Sequence, residues 1–260
     1  MKFFAVIGDP IVHSKSPRMH NNALQILRQN AVYVKYHLKD KTKLRDIVKL
    51  FDGVNITIPF KEEAFKIADF KDDSVTCIGS ANTLLYKHNQ IYAYNTDYIG
   101  FLKAIDDFYN VKKVLILGAG GTAKAIAYAL KTKNIQILIA NRSKARLELL
   151  SDYQCCLYDD LNPNEHFDLI VNTTSAGLNN MDLPCSKDLL KNLFLNASYA
   201  FDVIYGKQTP FMKLAKQYNL QIKDGLQMLL WQGVFAYELF LDCKNTEEIF
   251  KAMELALKLP

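Results

Sequence analysis

The fold is decided by residues 113–146, which read KVLILGAGGTAKAIAYALKTKNIQILIANRSKAR. Within them the apolar run Val114 to Leu117 stops at a glycine cluster, and an alanine-rich helical pattern follows from Thr122 to Leu130. A further apolar run, Ile135 to Ala140, comes next. This order predicts a strand, a tight turn, a helix and a second strand, the βαβ unit of an α/β protein.

Small residues in the glycine cluster fall at Gly118, Gly120 and Ala123, which is the G-x-G-x-x-G/A spacing of dinucleotide-binding turns. Gly118 permits the sharp turn, Gly120 lets the backbone approach a diphosphate, and Ala123 keeps the helix close to the strand. The N–H groups and positive dipole end at the helix start attract phosphates. We therefore expect this turn to bind a dinucleotide through Gly118, Ala119, Gly120, Gly121, Thr122 and Ala123.

The residues after the second strand favour one cofactor over another. A NAD-binding unit usually has an acidic residue here for the ribose hydroxyls, whereas this chain has Asn141, Arg142, Ser143 and, further on, Arg146. Guanidinium groups bind phosphate in a planar fork, and no carboxylate is present to repel a 2′-phosphate. The sequence thus predicts NADP. The alternative is that Arg142 and Arg146 belong to a solvated helix start.

The composition limits the class of protein. At 260 residues and 50% hydrophobic content, the chain can bury a large core in one or two domains. Its net charge of +5 is spread without long single-sign runs. This pattern suits small anionic ligands, and no nucleic-acid motif or basic stripe with interleaved aromatic residues is visible. We expect neither nucleic acid nor membrane as a partner, because no apolar run approaches the length of a membrane span.

The cysteines and histidines indicate neither disulfides nor a metal. Five cysteines (Cys77, Cys155, Cys156, Cys185 and Cys243) form no C-x-x-C pair and no disulfide framework, so reduced thiols in the cytoplasm are the simplest expectation. The apolar start of the chain is ended by Gly8, Asp9 and Pro10, too early for a signal peptide. The histidines show no ligand spacing, and we expect no metal site.

Strand and helix patterns alternate on both sides of the glycine cluster, which predicts a second α/β unit at the N-terminal side. Ser16 followed by Pro17 is typical of an N-cap and a first helical residue, and we expect that helix to run towards Asn30. The segment LQMLLWQGVFAYELFL after Gly225 is apolar nearly all round, which indicates a buried helix. We expect the joints between units near residues 97–100 and 205–225.

Four polar motifs in the first hundred residues follow apolar strands: HSKSP, NITIPFK from Asn55, SANT from Ser80 and NTD from Asn95. Sites in open α/β sheets form in loops at the ends of strands. If the central unit holds a nicotinamide, the substrate should therefore bind in this N-terminal part, with a cleft between the two.

In chain order, the motifs HSKSP, VNITIPFKE, SANT, NTD, GAGGTA, NRS, Tyr205 with a following TP, and DGLQMLLWQ resemble the shikimate dehydrogenase family over nearly the whole chain. The resemblance implies reversible NADP-dependent reduction of 3-dehydroshikimate to shikimate. It also implies a substrate-binding and catalytic domain (residues 1–98), a Rossmann NADP-binding domain (residues 99–224) and C-terminal helices (residues 225–260) that return to the substrate domain.

Lys61 and Asp97 match the family's catalytic pair. Reduction of a ketone by hydride requires a proton at the oxygen as negative charge develops there, and an ammonium beside a carboxylate can supply it. The resemblance makes Lys61 the proton donor in reduction and the base in oxidation, with Asp97 orienting it and binding a substrate hydroxyl. Without the resemblance, Lys61 next to Glu62 and Glu63 would be a solvated helix start and Asp97 a helix N-cap.

Other residues match family positions that contact the ligands. Ser14 and Ser16 match the binders of the substrate carboxylate, although Ser16 could instead cap its helix. The positions implied for the ring hydroxyls or carboxylate are Thr57, Asn82, Asn95 and Gln232, and Tyr205 matches a substrate-side tyrosine. The resemblance also assigns Thr173, Val203 and Gly225 to cofactor binding. Gly225 could instead be a turn residue before a helix.

Several alternatives stay open at this stage. A quinate dehydrogenase, or an enzyme of dual quinate and shikimate specificity, would have the same fold, because selectivity between ring substituents can depend on one hydroxyl contact. A non-catalytic NADP-binding regulatory protein would need only the nucleotide turn, and the intact Lys61 and Asp97 argue against it. The assembly is expected to be a monomer or a homodimer. Only three residues separate Tyr205 from the TP pair, where the family often has four.

Overall fold

The computed structural model describes residues 1–258 and divides them into two compact units. The first comprises Met1–Gly100 and the residues from Leu229 onward, and the second comprises Phe101–Met228. The sequence had placed the joints after residue 98 and after residue 224. Both divisions fall inside helices, so each of these two helices begins in one unit and ends in the other.

A six-stranded sheet with helices around it forms the first unit, in the order β2-β1-β3-β5-β6-β4. Strand β5 runs antiparallel to β3 and β6, and the other neighbours are parallel. The elements up to the joint are β1 (Lys2–Gly8), α1 (Ser16–Ile26), β2 (Ala31–His37), α2 (Leu44–Val48), β3 (Gly53–Ile56), α3 (Lys61–Ile67), β4 (Phe70–Lys71), α4 (Asp73–Ile78), β5 (Thr83–Lys87), β6 (Gln90–Tyr94) and α5 (Asp97–Ala104).

The second unit is a parallel sheet of six strands in the order β12-β11-β10-β7-β8-β9. This is the doubly wound arrangement that the glycine cluster predicts, with β7 near the centre. Its elements are β7 (Lys113–Leu117), α6 (Gly121–Lys131), β8 (Gln136–Asn141), α7 (Lys144–Leu147), β9 (Gln154–Leu157), β10 (Leu169–Asn172), α8 (Lys187–Leu195), β11 (Tyr199–Asp202), α9 (Pro210–Gln217) and β12 (Gln221–Asp224).

The C-terminal helices α10 (Leu226–Leu241) and α11 (Thr246–Lys258) pack on the first unit. The ring of Phe240 stacks on Phe4 with centroids 4.7 Å apart, and the Asn22 amide donates to the Ala252 carbonyl at 2.6 Å. Gly53 allows this approach, because a Cβ there would lie 2.5 Å from the Phe240 ring. The α/β fold class, with helices that return to the N-terminal unit, is therefore confirmed.

Local predictions at helix ends were less accurate. Ser16 is the first residue of α1 and not its N-cap, since Lys15 occupies the cap position without a side-chain cap bond. The helix ends at Ile26, before Asn30, because Arg28 adopts a positive φ of 52° that closes the turn. Helix α10 does have the expected burial, since none of its residues is exposed.

Candidate active site

Lys61 and Asp97 form an ion pair in the first unit. The Lys61 Nζ donates to the Asp97 Oδ2 at 2.5 Å, and the two side chains are only 13% and 7% exposed. This geometry disagrees with a solvated start of α3 for Lys61, because the ammonium is directed inward. Asp97 is the first residue of α5 and not its cap, since its backbone N–H donates to the Asn95 Oδ1 at 3.0 Å. The carboxylate therefore remains available to the ammonium.

The sheet of the first unit brings these two residues together. Lys61 follows β3 and Asp97 follows β6, which are both neighbours of β5. The start of α3 is attached to the residues before β5, because the Ala81 N–H donates to the Lys61 carbonyl at 3.0 Å. Asn95 fixes the start of α5 from the other side, and its amide donates to the Ser80 carbonyl at 3.0 Å. The SANT and NTD motifs thus hold each other in place.

Asn82 connects the ion pair to the C-terminal helix. Its Nδ2 donates to the Asp97 Oδ1 at 2.9 Å and to the Gln232 Oε1 of α10 at 3.3 Å. Its Oδ1 accepts from the Thr96 N–H at 2.7 Å, which determines which way the amide faces. All three of Asn82, Asp97 and Gln232 are buried. The structure therefore brings four of the sequence-predicted residues, Lys61 included, into one hydrogen-bonded cluster.

The two serines of HSKSP lie next to each other before and at the start of α1. The Ser16 N–H donates to the Ser14 Oγ at 3.3 Å, so the Ser14 oxygen acts here as an acceptor and its proton can be directed to an anion. Thr57 follows β3, and its N–H donates to the Ile7 carbonyl at 2.9 Å. Its methyl group fits because Gly8 has no Cβ, which would lie 2.4 Å away.

A tyrosine and an asparagine that the sequence analysis did not assign lie between these two groups. The Tyr33 hydroxyl donates to the Asn55 Oδ1 at 2.7 Å, and the Asn55 Nδ2 donates to the Asn82 carbonyl at 3.3 Å. Burial raises the pKa of Tyr33 well above its ordinary value, although a hydrogen bond from Ser16 opposes the shift. The network thus runs from Ser16 to Asn82. Tyr33 is only 1% exposed, whereas its chain neighbour Val34, on the opposite face of β2, is 40% exposed.

His20 lies against the same tyrosine. Its ring stacks on Tyr33 with centroids 4.1 Å apart, and it is only 1% exposed. Among the described residues, its Nε2 is one of two buried side-chain polar atoms with no hydrogen-bond partner, the other being the Tyr237 hydroxyl. Burial lowers the pKa of His20 to about 3, so the ring is neutral at physiological pH. No sequence pattern distinguished His20 from the other histidines, which show no ligand spacing.

The glycine turn of the second unit has a backbone that only small residues allow. Gly118 has a φ of +116°, and a Cβ there would lie 2.4 Å from the Thr173 Oγ1, so only glycine fits. Gly120 is exposed, and a Cβ on it would meet nothing within 4 Å. It stands at the cap position of α6 without a side-chain cap, and Ala123 is fully buried. The backbone at Gly120, just before α6, can therefore be approached closely.

The remaining predicted cofactor residues lie at the same edge of the parallel sheet. Arg142 and Ser143 follow β8 directly, and Arg142 and Arg146 are both exposed. The register of β7 and β8 pairs Leu117 with Ala140, so Asn141 is level with the glycine turn. Thr173, Val203 and Gly225 follow β10, β11 and β12. Val203 and Gly225 are close-packed, since a Cβ on Gly225 would lie 2.1 Å from the Val203 carbonyl oxygen.

Tyr205 lies in the second unit, whereas the other predicted substrate residues lie in the first. It is half-buried and follows Ile204, whose carbonyl accepts from the Gly225 N–H at 3.2 Å. The next residue, Gly206, donates its N–H to the Asp224 Oδ2 at 3.2 Å. The short connection to the TP pair is thereby attached to the end of β12.

Among residues 1–258, no helix is long and apolar enough to cross a membrane. Within the same residues, no group of three or more His, Cys, Asp or Glu side chains is arranged to hold a metal ion. The five cysteines are free thiols.

Comparisons with known proteins agree with the motifs. Residues 6–84 match the family model described as the shikimate dehydrogenase substrate binding domain, and residues 102–188 match shikimate / quinate 5-dehydrogenase. The NADP(+) shikimate dehydrogenase of Helicobacter hepaticus is 42% identical over 248 residues, which cover 94% of this chain and 91% of the relative. This chain belongs to the shikimate dehydrogenase family.

Solved structures of the shikimate dehydrogenase family have the same fold. The enzyme of Aquifex aeolicus superposes with a TM-score of 0.86 at 32% identity and covers 100% of this chain and 98% of its own. The enzyme of Thermus thermophilus, solved in complex with NADP(H) and shikimate, has a TM-score of 0.83 at 29% identity over 98% and 100% of the two chains.

We predict that His20 makes the protein less stable to acid. Its folded-state pKa of about 3 lies below the ordinary 6.5, so the unfolded chain takes up a proton between these values and the native chain does not. Stability is therefore lost as pH falls from 6.5 towards 3, by about 1.4 kcal/mol per pH unit from this group. In His20→Phe, which keeps an aromatic ring, the free energy of unfolding from urea titrations should fall less steeply between pH 6.5 and pH 4. Its slope should differ from that of the wild type by about that amount. Equal slopes for the two proteins would contradict the burial of a neutral ring.

Proposed function

We propose that this protein catalyses the reversible NADP-dependent reduction of 3-dehydroshikimate to shikimate, a step of aromatic amino acid biosynthesis. The single observation that carries the proposal is the buried Lys61–Asp97 ion pair, whose carboxylate is fixed by Asn82. A protein that only bound NADP would have no need for this pair in its other unit. Membership of the shikimate dehydrogenase family supports the same reaction.

The pair can perform the proton transfer that this reaction requires. In reduction, the Lys61 ammonium donates a proton to the ketone oxygen as negative charge develops there, and in oxidation the amine takes the proton back. Asp97 orients Lys61 through the bond at 2.5 Å, and its other oxygen accepts from Asn82. Because both side chains are largely shielded from water, their electrostatic interaction is stronger than it would be at a surface.

Polar groups around the pair suit a polyhydroxylated acid. Asn82 and Gln232 present amide groups, and Thr57 presents a hydroxyl, which can donate to or accept from ring hydroxyls. Ser14 and Ser16 would hold the carboxylate with hydroxyl donors. In this proposal these residues of the first unit bind the substrate acid.

The second unit would hold NADP. The diphosphate would bind at Gly118, Gly120 and the start of α6, where the backbone can be approached closely. Asn141, Arg142, Ser143 and Arg146 would hold the 2′-phosphate, and Thr173, Val203 and Gly225 would lie beside the nicotinamide. When bound, NADP supplies the hydride acceptor or donor of the reaction. We further propose a cytoplasmic location and a monomeric or homodimeric assembly.

The direct test is the absorbance of reduced nicotinamide when the purified chain receives shikimate and NADP. We expect turnover with shikimate and a higher kcat/KM for NADP than for NAD. The matched family model is named for both shikimate and quinate, so quinate must be assayed in parallel. A higher kcat/KM with quinate and NAD would replace the proposal by a quinate dehydrogenase, and no turnover with either acid would favour a regulatory protein.

Lys61→Ala should lower kcat by roughly 10²- to 10⁴-fold, because general acid–base catalysis contributes about that much. The affinity for NADP, measured by titration calorimetry, should change little, since Lys61 belongs to the substrate unit. The matched control is Lys66→Ala in the same helix, where the Lys66 side chain is 69% exposed and pairs with Glu63. Turnover of Lys61→Ala at the wild-type level would show that the assigned role is wrong.

Arg142→Ala should weaken NADP much more than NAD, because only NADP carries the 2′-phosphate that a guanidinium would bind. Losing one charge-assisted contact corresponds to about 1.5–3 kcal/mol, or roughly ten- to a hundredfold in Kd. Lys133→Ala is the control, since that exposed cation lies just beyond the opposite end of α6. Equal losses for both cofactors would indicate that Arg142 has a structural role instead.

A further inference from the structure

A buried carboxylate at the end of β11 has no role in the chemistry proposed above. Asp202 is fully buried, and it accepts hydrogen bonds from three donors. The Thr209 hydroxyl donates to its Oδ2 at 2.6 Å, while the Ile204 N–H and the Asn172 Nδ2 donate to its Oδ1 at 3.0 and 3.2 Å. A buried charge is costly unless it is hydrogen-bonded in this way. The burial of the Asp202 carboxylate therefore depends on all three donors.

These partners belong to two different loops. Ile204 and Thr209 lie at the two ends of the loop that contains Tyr205, between β11 and α9. Asn172 ends β10, and its Oδ1 accepts from both the N–H and the hydroxyl of Thr174, at 3.0 and 2.8 Å. One carboxylate thus connects the loop after β10 with the loop after β11.

Both loops continue into residues proposed to contact NADP. In the loop after β10, the Thr173 hydroxyl donates to the Leu117 carbonyl at 2.8 Å and packs on Gly118. In the loop after β11, the Ile204 carbonyl accepts from the Gly225 N–H at 3.2 Å. The hydrogen bonds centred on Asp202 therefore extend from the glycine turn to the residue that opens α10.

The protonation of Asp202 is compatible with this arrangement. Burial raises the pKa of Asp202 to about 6, and the three hydrogen bonds limit the shift. At neutral pH the group is therefore mostly a carboxylate. Hydrogen bonds to an ionised acceptor are about twice as strong as neutral ones, so this single side chain can hold both loops.

We propose that Asp202 is a positioning residue for the NADP site. It holds the loop after β10 and the loop after β11 in the conformation that binds the cofactor. Asp202 is fully buried and acts through Asn172, Ile204 and Thr209. The inference rests on the proposed binding of NADP by this unit. It does not depend on the identity of the substrate acid.

The test is NADP affinity by titration calorimetry in Asp202→Ala and Asp202→Asn. Alanine leaves the donors of Asn172, Ile204 and Thr209 without their acceptor, and we expect Kd to rise by about tenfold or more. Asparagine keeps an oxygen that can accept from the Ile204 N–H and the Asn172 amide. Its own amide nitrogen would face the Thr209 hydroxyl, whose oxygen can accept a hydrogen bond from it. We expect its Kd to lie between those of wild type and Asp202→Ala, because the acceptor oxygen is kept and the charge is lost.

Asp168→Ala separates positioning from a general loss of stability. Asp168 precedes β10 at the other end of the same sheet, and its Oδ2 accepts from the Lys112 and Lys113 N–H groups, both at 2.9 Å. We expect this variant to lower Tm and to bind NADP as wild type does. Amide hydrogen exchange should accelerate at Thr174 and Ile204 in Asp202→Ala only.

Two results would overturn the positioning role. One is an Asp202→Ala protein that binds NADP with the wild-type Kd, and the other is an equal loss of affinity in Asp168→Ala. A wild-type protein that binds NADP but does not oxidise shikimate would end the proposed function and leave this test intact, since Kd and amide exchange are measured without turnover.

Discussion

Burial of the Asp97 carboxylate is the constraint on which the first unit depends. A charge removed from water is stable only when it is paired and hydrogen-bonded, and Asp97 meets this condition with Lys61 on one oxygen and Asn82 on the other. Each partner then needs its own support. Lys61 is held at the start of α3 by Ala81, and Asn82 is held by Thr96 and Gln232. The polar motifs thus stabilise one another.

The same constraint appears in the second unit with a different outcome. Asp202 is as deeply buried as Asp97, yet its partners are neutral donors and no cation lies among its hydrogen bonds in the described chain. In the functions proposed here, the carboxylate paired with a cation takes part in proton transfer, and the carboxylate surrounded by neutral donors holds two loops in position.

The sequence was most informative where a backbone conformation or a cofactor restricts the residue type. Gly118 needs a positive φ and a space that Thr173 fills, so the glycine spacing predicted its turn correctly. Helix ends were harder to predict, because capping depends on which nearby side chain forms the hydrogen bond with the backbone. Asn95, and not Asp97, accepts from the start of α5, and Ser14 accepts from Ser16. Neither preference is visible in the order of residues.

The residues that no motif indicated are those whose partners are far away in the chain. Tyr33 of β2 reaches Asn55 of β3 across the strand β1 that lies between them, and Asn172 reaches Asp202 because β10 and β11 are neighbours. By itself the sequence determined the α/β class, the glycine turn, the polar loops and, through their resemblance to a family, the expected reaction. The tertiary structure alone decided which polar groups are buried together, because burial and hydrogen-bond partners are set by strand order and packing, and local patterns do not contain them.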